Sequence, residues 1–310
     1  MPEIKITETE EFVINKDEND TRIDVTLTKR FPSHSRNYFH YLIKNGLVTI
    51  DDATIKKQQR PVEGTHVKIT FALTQEIKVD PEDIPLDILY EDDDIIVVNK
   101  AVGMVIHPAS TIHSGTFVNA LVHHCQSIKS WGDKLRPGIV HRLDKNTSGV
   151  LIAAKNLESH KQLVHTFSER NCEKYYLAIC QGNPREGEVS TNIARHPRDR
   201  KKMAVCDDDH GKLAITQYKT KAYDSALSVV SVKILTGRTH QIRVHMLHIG
   251  HPVLGDETYG TASLNKKHNI HRQMLHAHKL IIPHPKTGEV MTFEAPVPED
   301  MGKFMSKIGQ

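Results

Sequence analysis

The sequence predicts an α+β protein, in which a small module precedes a larger domain with a mainly antiparallel β-sheet and flanking helices. Two observations lead to this fold class. Strand-like and helix-like segments are interspersed after residue 85, without the regular alternation that is typical of a parallel βαβ protein. The 310 residues, of which 38% are hydrophobic and 25% charged, also suffice for a large domain together with a small one.

The small module is predicted over about residues 20–75, after an acidic extension at 1–19 that has no strong pattern. Two helices and a small sheet in so short a segment favour a binding module over an enzyme core. Its predicted elements are a helix over 21–30, a helix that Ser33 or Ser35 caps and that ends at Lys44, a hairpin over 47–55 and a strand over 66–71.

A proline-containing linker at 76–84 leads to the larger domain, which is predicted over 85–300. Apolar runs with strand character and longer segments with helical periodicity follow one another there. The predicted strands are 95–99, 138–143, 150–155, 176–180 and 227–235, and the predicted helices are 117–126, 157–171 and 239–249.

Positive charge is concentrated in two segments, although the formal net charge is only +3. Residues 22–60 hold eight Lys and Arg against three Asp and Glu, and residues 195–202 hold five against one. Such patches suit phosphate contacts. Taken from the residues alone, an ordinary solvated basic face is the favoured interpretation of each patch.

Several classes of protein and site are disfavoured. The first residues have no basic segment followed by an apolar run, and the apolar stretches are too short to cross a bilayer. The four cysteines form no C-x-x-C pair, which predicts reduced thiols in a cytoplasmic protein. The 21 histidines, including the series His245, His248 and His251, lack a matching group of further ligands, so no metal site is predicted.

The segment GIVHRLDKNTSGVLIAAK, residues 138–155, is the most informative. Two apolar runs flank a polar turn, which predicts Asp144 at the junction of a strand and a loop. Asp, Asn, Ser and Gly also favour turns without any function. A calcium loop is excluded because Lys155 stands where the bidentate Glu is required. The glycosylation pattern at Asn146 has no meaning in a cytoplasmic protein.

His141 to Asp144, followed by Thr147 to Gly149, resembles the catalytic motif of the RluA/RluD family of RNA pseudouridine synthases. Other segments resemble further motifs of that family, in the family's order, so that the resemblance covers about residues 84–300. The small module resembles the S4 RNA-binding domain that often precedes this catalytic domain. The matching segments are 85–108, 173–176, 235–245 and 250–259.

The resemblance implies isomerisation of uridine to pseudouridine in RNA, without a metal or another cofactor. It assigns the catalytic carboxylate to Asp144, either as a nucleophile or as the group that starts an elimination. Arg243 would stabilise the ionised carboxylate, with Arg238 and Lys174 as weaker candidates for that role. Tyr176 would pack on the uracil and move a proton at C5, while its neighbour Tyr175 would face away.

Extrusion of a stacked uridine would be assisted by Arg142, either by filling the vacated space or by contacting a phosphate. The resemblance also implies substrate contacts from the motif segments and from the small module. The predicted substrate-binding residues are Arg142, His141, Thr147, Arg238, His240, Arg36 and Lys44.

The predicted substrate is structured RNA, most readily large-subunit ribosomal RNA or a pre-ribosomal particle, with no membrane and no obligate protein partner. An RNA-binding ribosome-assembly factor without turnover is the alternative, although the matches at Asp144, Tyr176 and Arg243 count against it. A glycoside- or nucleoside-hydrolysing enzyme is a third hypothesis, and release of the base would distinguish it.

Overall fold

The computed structural model divides into two compact units, residues 1–78 and 79–310. Within the described residues, no helix is long and apolar enough to span a membrane. Ser33 and Ser35, either of which was predicted to cap a helix, lie outside the residues that the structure describes. The structure describes residues 5–32, 34, 36–73, 79–108, 112, 114–130, 136–207 and 210–309.

The first unit is a four-stranded antiparallel sheet with two helices. The strand order is β1-β4-β2-β3, and the buried apolar side chains of both helices pack on the sheet. Asp51 and Asp52 both have positive φ, as in a two-residue hairpin turn. The elements are β1 (Lys5–Val13), α1 (Ile23–Arg30), α2 (Arg36–Lys44), β2 (Val48–Ile50), β3 (Ala53–Thr54) and β4 (His66–Leu73), with a 3₁₀ turn at Lys16–Glu18.

Residues 1–19 were predicted to be an extension outside the small module. The structure corrects this prediction, because strand β1 lies in this segment and pairs with β4 along its length. The segment showed no pattern because β1 is an edge strand whose described side chains are almost all exposed, so apolar and polar residues do not alternate. The predicted helix over 21–30 and the strand that begins at His66 agree with α1 and β4.

The second unit contains a ten-stranded sheet with the order β10-β9-β11-β12-β8-β13-β7-β6-β5, and β14 pairs with β13. Its strands are β5 (Ile88–Glu91), β6 (Ile95–Lys100), β7 (Ser148–Ala154), β8 (Glu173–Gln181), β9 (Glu186–Arg195), β10 (Met203–Cys206), β11 (Lys212–Tyr223), β12 (Leu227–Ile234), β13 (Leu275–Pro283) and β14 (Val290–Glu294). Its helices are α3 (Phe117–His124), α4 (Leu157–Ser168), α5 (Gln241–His248), α6 (Ala262–His268) and α7 (Glu299–Ile308), with a 3₁₀ helix at Gln126–Ser130.

The predicted α+β class with a mainly antiparallel sheet is confirmed. Among the described strands only β7 and β13 pair in parallel. Helices α3 and α5 pack on one face of the sheet, and α4 and α7 pack on the other. Every residue of β7 is therefore buried, as expected of a strand that is covered on both faces.

The predicted strand over 138–143 is wrong. This segment runs beside β7 but makes only one isolated bridge, between Ile139 and Ala153. Gly138 has a φ of +75°, and a Cβ atom there would lie 2.6 Å from the backbone oxygen of Ala154. The close approach and the left-handed turn interrupt regular pairing just before the residues that form the candidate site.

Candidate active site

Asp144 lies in the loop that leads into β7. The amide of Thr147 donates to the backbone oxygen of Asp144 at 3.1 Å, so the chain turns directly after the carboxylate. Gly149 follows with a φ of +111°, and a Cβ atom there would lie 2.2 Å from the backbone oxygen of Ala277 on β13. Glycine is required at this parallel pairing, which fixes the start of β7 close to Asp144.

Lys100, at the end of β6, holds the same loop through its buried side chain. Its Nζ donates to the backbone oxygens of Ala101 at 2.7 Å, Met104 at 3.0 Å and Lys145 at 3.1 Å. Burial lowers the pKa of Lys100 to about 7, while the negative charge of Asp144 acts in the opposite direction. This side chain thus links the turn after β6 to the residue that follows the carboxylate.

Arg243, on α5, is in direct contact with Asp144. Its Nη1 donates to Asp144 Oδ2 at 2.9 Å. The remaining side of the guanidinium is bound by Asp256, with Nε donating to Oδ2 at 2.6 Å and Nη2 to Oδ1 at 2.9 Å. The side chain of Asp144 is 18% exposed, whereas that of Arg243 is 7% exposed and that of Asp256 is fully buried. One buried cation therefore serves two carboxylates, of which only Asp144 is open to solvent.

Tyr176 and Tyr175 lie on opposite faces of β8, as expected for neighbours in a strand. Tyr176 is buried and lines a cavity with Asp144. The hydroxyl of Tyr175 donates to Glu173 instead, outside that cavity. Burial raises the pKa of Tyr176 well above its usual range, and the charge of Asp144 raises it further.

Two cavities meet at Asp144. The smaller one has a volume of about 70 Å³ and contains Tyr176, and the larger one has a volume of about 420 Å³. The larger volume falls within the range of small-ligand sites. The residues that line both cavities are Arg142, Leu143, Asp144, His240 and Arg243.

His240 precedes α5 with a left-handed φ of +57° and lines both cavities. The Met203 amide donates to the Tyr259 hydroxyl at 2.7 Å, and that hydroxyl lies 2.8 Å from His240 Nδ1. The other ring nitrogen, Nε2, lies 4.0 Å from Asp144 Oδ1. Burial lowers the pKa of His240, although Asp144 opposes this effect. The ring thus lies between the Tyr259 hydroxyl and the carboxylate of Asp144.

Three more of the predicted substrate-binding residues also line these cavities. Arg142 is exposed and borders both of them. Arg238 borders the smaller one, where its Nε donates to the backbone oxygen of Leu213 at 2.9 Å. Thr147 is buried, and its hydroxyl accepts from Gln273 Nε2 at 3.2 Å.

His141, which was predicted to bind substrate, is absent from both cavity linings. Its ring stacks on Phe167 of α4 with the centroids 4.7 Å apart, and its Nε2 accepts from the amide of Ile152 at 3.1 Å. Burial lowers its pKa to about 3, so the ring is neutral. His141 thus packs the loop before β7 against β7 and α4.

Arg36 and Lys44 lie in the first unit, at the two ends of α2. The Nε of Arg36 donates to the buried Asp24 at 2.8 Å, and Arg22 and His40 contact the same carboxylate. Lys44 is exposed. The structure thus leaves Lys44 directed to solvent and engages Arg36 in an internal ion pair.

Lys174, the other residue named as a weaker partner for Asp144, is not among the cavity-lining residues. Its Nζ lies 5.8 Å from the centroid of the Phe167 ring. Asp256 and Tyr259 were not predicted as site residues, although both fall within the motif-like segment 250–259. The local sequence around both residues, Gly-Asp and Thr-Tyr, is typical of a turn. Their position in the site is recognised only from the contact of Asp256 with Arg243 and of Tyr259 with His240.

Two groups of metal-ligand type occur among the described residues, both around the turn between β5 and β6. In the first, the Lys155 ammonium lies 2.8 Å from Glu91 Oε1 and so supplies the positive charge itself. In the second, His284 Nε2 lies 2.9 Å from Asp92 Oδ2. Neither group includes a residue of the two cavity linings. The groups are Glu91, His124 and Cys125, and Asp92, Asp94 and His284.

A family model described as RNA pseudouridylate synthase matches residues 94–248 of this chain. An uncharacterized RNA pseudouridine synthase of Aquifex aeolicus is 44% identical over 96% of this chain and 96% of its own length. Ribosomal large subunit pseudouridine synthase D of Neisseria meningitidis serogroup A is 39% identical over 93% of this chain and 78% of its own length.

The fold is also similar to a solved human structure, RNA Pseudouridylate Synthase Domain Containing 1. The TM-score is 0.56 at 26% identity, over 73% of this chain and 96% of that chain. The matched family segment contains Asp144, Tyr176, His240 and Arg243, which line the smaller cavity. All residues that line this cavity except Leu275 lie within the matched segment.

Proposed function

This chain belongs to the RNA pseudouridylate synthase family, and we propose that it isomerises uridines of large-subunit ribosomal RNA with Asp144 as its catalytic carboxylate. The single observation that carries the assignment of Asp144 is its contact with the buried Arg243, beside Tyr176 and at the junction of two cavities. The choice of RNA rests on the relatives named for the large ribosomal subunit.

The reaction breaks the N1–C1′ bond of uridine, turns the base and joins C5 to C1′. Reactant and product have the same atoms and the same oxidation level, so the proposal requires no cofactor. A carboxylate must act on the sugar or on the base, and covalent catalysis by a carboxylate has a parallel in the retaining glycosidases. Asp144 is suited to this work because its side chain is partly exposed to the cavities.

Arg243 supports the proposed role of Asp144 by electrostatics. The guanidinium donates a charge-assisted hydrogen bond to the ionised carboxylate, which offsets the cost of removing that carboxylate from water when RNA closes the site. Because Arg243 is held on α5 by a second carboxylate, it needs little reorganisation when the reaction begins.

Tyr176 supports a proton-transfer role that depends on the state of Asp144. The phenol is protonated at rest because burial and the charge of Asp144 both raise its pKa. As Asp144 gives up its negative charge to the substrate, the second of these causes disappears and the phenol becomes easier to ionise. We propose that the phenol then takes part in moving the proton from C5, while its ring packs on the uracil.

The target nucleotide must leave its stack before the ribose can reach Asp144. The larger cavity is of a suitable size to admit an extruded nucleotide, and the exposed Arg142 stands at the border of both cavities. Arg142 is proposed to contact the RNA at the vacated position, and His240 is proposed to bind the nucleotide through its ring Nε2. Thr147 and Arg238, which border the smaller cavity, are proposed as further substrate contacts.

The first unit is proposed to be an S4-like RNA-binding module, with its core over about residues 20–75. The exposed Lys44 and the partly exposed Arg36 lie at the ends of α2, in the segment that carries the excess of basic residues. The basic loop between β9 and β10 is proposed as a further RNA contact, in a cytoplasmic enzyme. Shape and unpaired bases would dominate recognition of such an RNA.

The substrate is tested by incubating the protein with unmodified large-subunit ribosomal RNA, with a pre-ribosomal large-subunit particle and with small-subunit ribosomal RNA. Pseudouridines are then mapped by carbodiimide treatment and primer extension. The proposal expects new pseudouridines at defined positions of large-subunit RNA, free or in the particle. Modification of small-subunit RNA alone, or release of free uracil, would contradict it.

A further inference from the structure

Asp256 is fully buried and uses both carboxylate oxygens on Arg243, at 2.6 and 2.9 Å. We propose that Asp256 is a positioning residue for the reaction, which holds the guanidinium so that Nη1 faces Asp144. The inference rests on the proposed function of Asp144 and adds a second carboxylate to its site. Asp256 does not itself line either cavity.

Asp256 is anchored by the backbone and not by Arg243 alone. Its Oδ1 accepts from the amides of Thr258 at 2.9 Å and Tyr259 at 3.0 Å. The preceding Gly255 has a φ of +78°, and a Cβ atom there would lie 2.0 Å from the backbone oxygen of Arg272. The turn therefore has a single close-packed path, and its carboxylate provides a fixed reference for the guanidinium.

The geometry divides the guanidinium into two sides. Nε and Nη2 are used by Asp256, whereas Nη1 donates to Asp144 at 2.9 Å. The planar fork allows this division, because both hydrogen bonds to Asp256 lie on one edge. A freely rotating arginine would instead offer two nitrogens to Asp144 and pair with it bidentately.

Asp256 also changes the electrostatic cost of using Asp144. Whether Asp144 attacks C1′, attacks the base or removes a ribose proton, its negative charge passes to the uracil with the electron pair of the bond that breaks. An arginine that had Asp144 as its sole partner would then be a buried, unpaired cation, which is strongly destabilising. With Asp256 in place, Arg243 keeps a bidentate anionic partner throughout the reaction.

Two variants separate charge from position. Asp256→Asn keeps an oxygen that can accept from the Thr258 and Tyr259 amides, but it removes the negative charge. The asparagine amide is also a weaker or mismatched hydrogen-bond partner for Arg243 Nε. Asp256→Glu keeps the charge but moves the carboxylate by one methylene. We expect both to reduce the single-turnover rate, Asn by about a hundredfold and Glu by about tenfold, with RNA Kd within about twofold of wild type.

The acid limb of the pH–rate profile distinguishes positioning from general damage to the fold. In Asp256→Asn, Arg243 keeps Asp144 as its anionic partner but loses the charge of Asp256, so the acid limb should move to lower pH. Asp256→Glu retains that charge and should leave the acid limb in place. The matched control is Asp224→Asn, because Asp224 also caps two backbone amides in a turn, at 3.0 and 2.8 Å, and lies outside the cavity linings. It should retain the wild-type rate and profile.

Whether Asp256 fixes the Arg243 guanidinium can be measured independently of activity. The measurement is the rate at which the Arg243 Nε–H proton exchanges with water, followed by ¹⁵N-edited NMR. Slow exchange in wild type and fast exchange in Asp256→Asn is expected. A folded Asp256→Asn or Asp256→Glu with the wild-type rate overturns the proposal, as does unchanged Nε–H exchange in the Asn variant. Inactive wild type with the expected exchange difference would instead contradict the proposed function alone.

Discussion

Arg243 Nη1 donates to Asp144 Oδ2 at 2.9 Å across 99 residues of sequence. Helix α5 supplies the cation, and the loop before β7 supplies the carboxylate. Both elements are held by the central sheet, in which β7 and β8 flank β13. The pairing therefore depends on the whole fold of the second unit and joins the electrostatics of the site to the packing beneath it.

Replacement of Arg243 by lysine tests this pairing. An ammonium is a point charge and cannot serve Asp144 and Asp256 with the geometry of a planar fork. We expect Arg243→Lys to reduce the single-turnover rate by about 10²–10³-fold, with RNA affinity within about twofold. Arg30→Lys is a matched control, because Arg30 binds Glu18 with the same fork at 2.6 and 2.7 Å in the first unit. A wild-type rate in Arg243→Lys would contradict the role.

The hydroxyl of Tyr176 is tested by Tyr176→Phe, which keeps the ring and removes the acidic proton. If the phenol moves the C5 proton, the rate should fall by about 10²–10⁴-fold while RNA affinity is retained. Tyr175→Phe is the control, since its hydroxyl faces Glu173 on the other side of β8. Equal rates for the two variants would limit Tyr176 to a packing role.

Two of the buried histidines make the stability of the folded chain depend on pH. Burial lowers the pKa of both His245 and His276 from 6.5 to about 4. Between pH 6.5 and 4 the unfolded chain binds more protons than the folded one, so stability is lost as the pH falls through this window, by at most about 1.4 kcal/mol per pH unit and histidine.

Urea unfolding at a series of pH values measures this effect. His276→Asn should flatten the loss of stability below pH 6.5, whatever its stability at pH 7, because it removes one of the titrating groups. His271→Asn, at an exposed position, should leave the slope unchanged. A His276→Asn profile that is parallel to wild type would contradict the assignment.

Binding by the first unit is tested by Lys44→Gln in the full chain. If the exposed ammonium contacts a phosphate, the substitution should weaken RNA affinity and reduce the slope of log K against log salt by about 1. Lys68→Gln is the control, because Lys68 is paired with Glu11 at 3.1 Å on the sheet of the same unit. Unchanged slopes for both variants would remove Lys44 from the proposed RNA contacts.

The fold class could be predicted because strand and helix periodicity survive in the buried elements. Strand β7, for example, is buried at every position, and its residues 149–154 form a continuous apolar run. Strand β1 was missed because edge strands need no apolar face, and the segment 138–143 was misassigned because its apolar residues pack without regular pairing. Local patterns thus report burial more reliably than they report hydrogen bonding.

The candidate site was predictable only in part. The motif resemblance named Asp144, Tyr176 and Arg243, which the structure brings to one cavity. It also suggested His141, whose ring lies in the packing against Phe167. Asp256 could not be identified, because a buried acid in a Gly-Asp turn has the same local sequence as a solvent-exposed one. Its partner is known only once α5 is placed against the turn.

The catalytic role of Asp144 can be tested with large-subunit ribosomal RNA that carries tritium at C5 of uridine. Formation of the new bond at C5 must expel this hydrogen into water, so its release measures the isomerisation itself. We expect release by the wild-type protein and none by Asp144→Asn, which should remain folded and bind RNA with comparable affinity. Release by Asp144→Asn at a rate near that of wild type would contradict the assignment of Asp144 as the catalytic carboxylate.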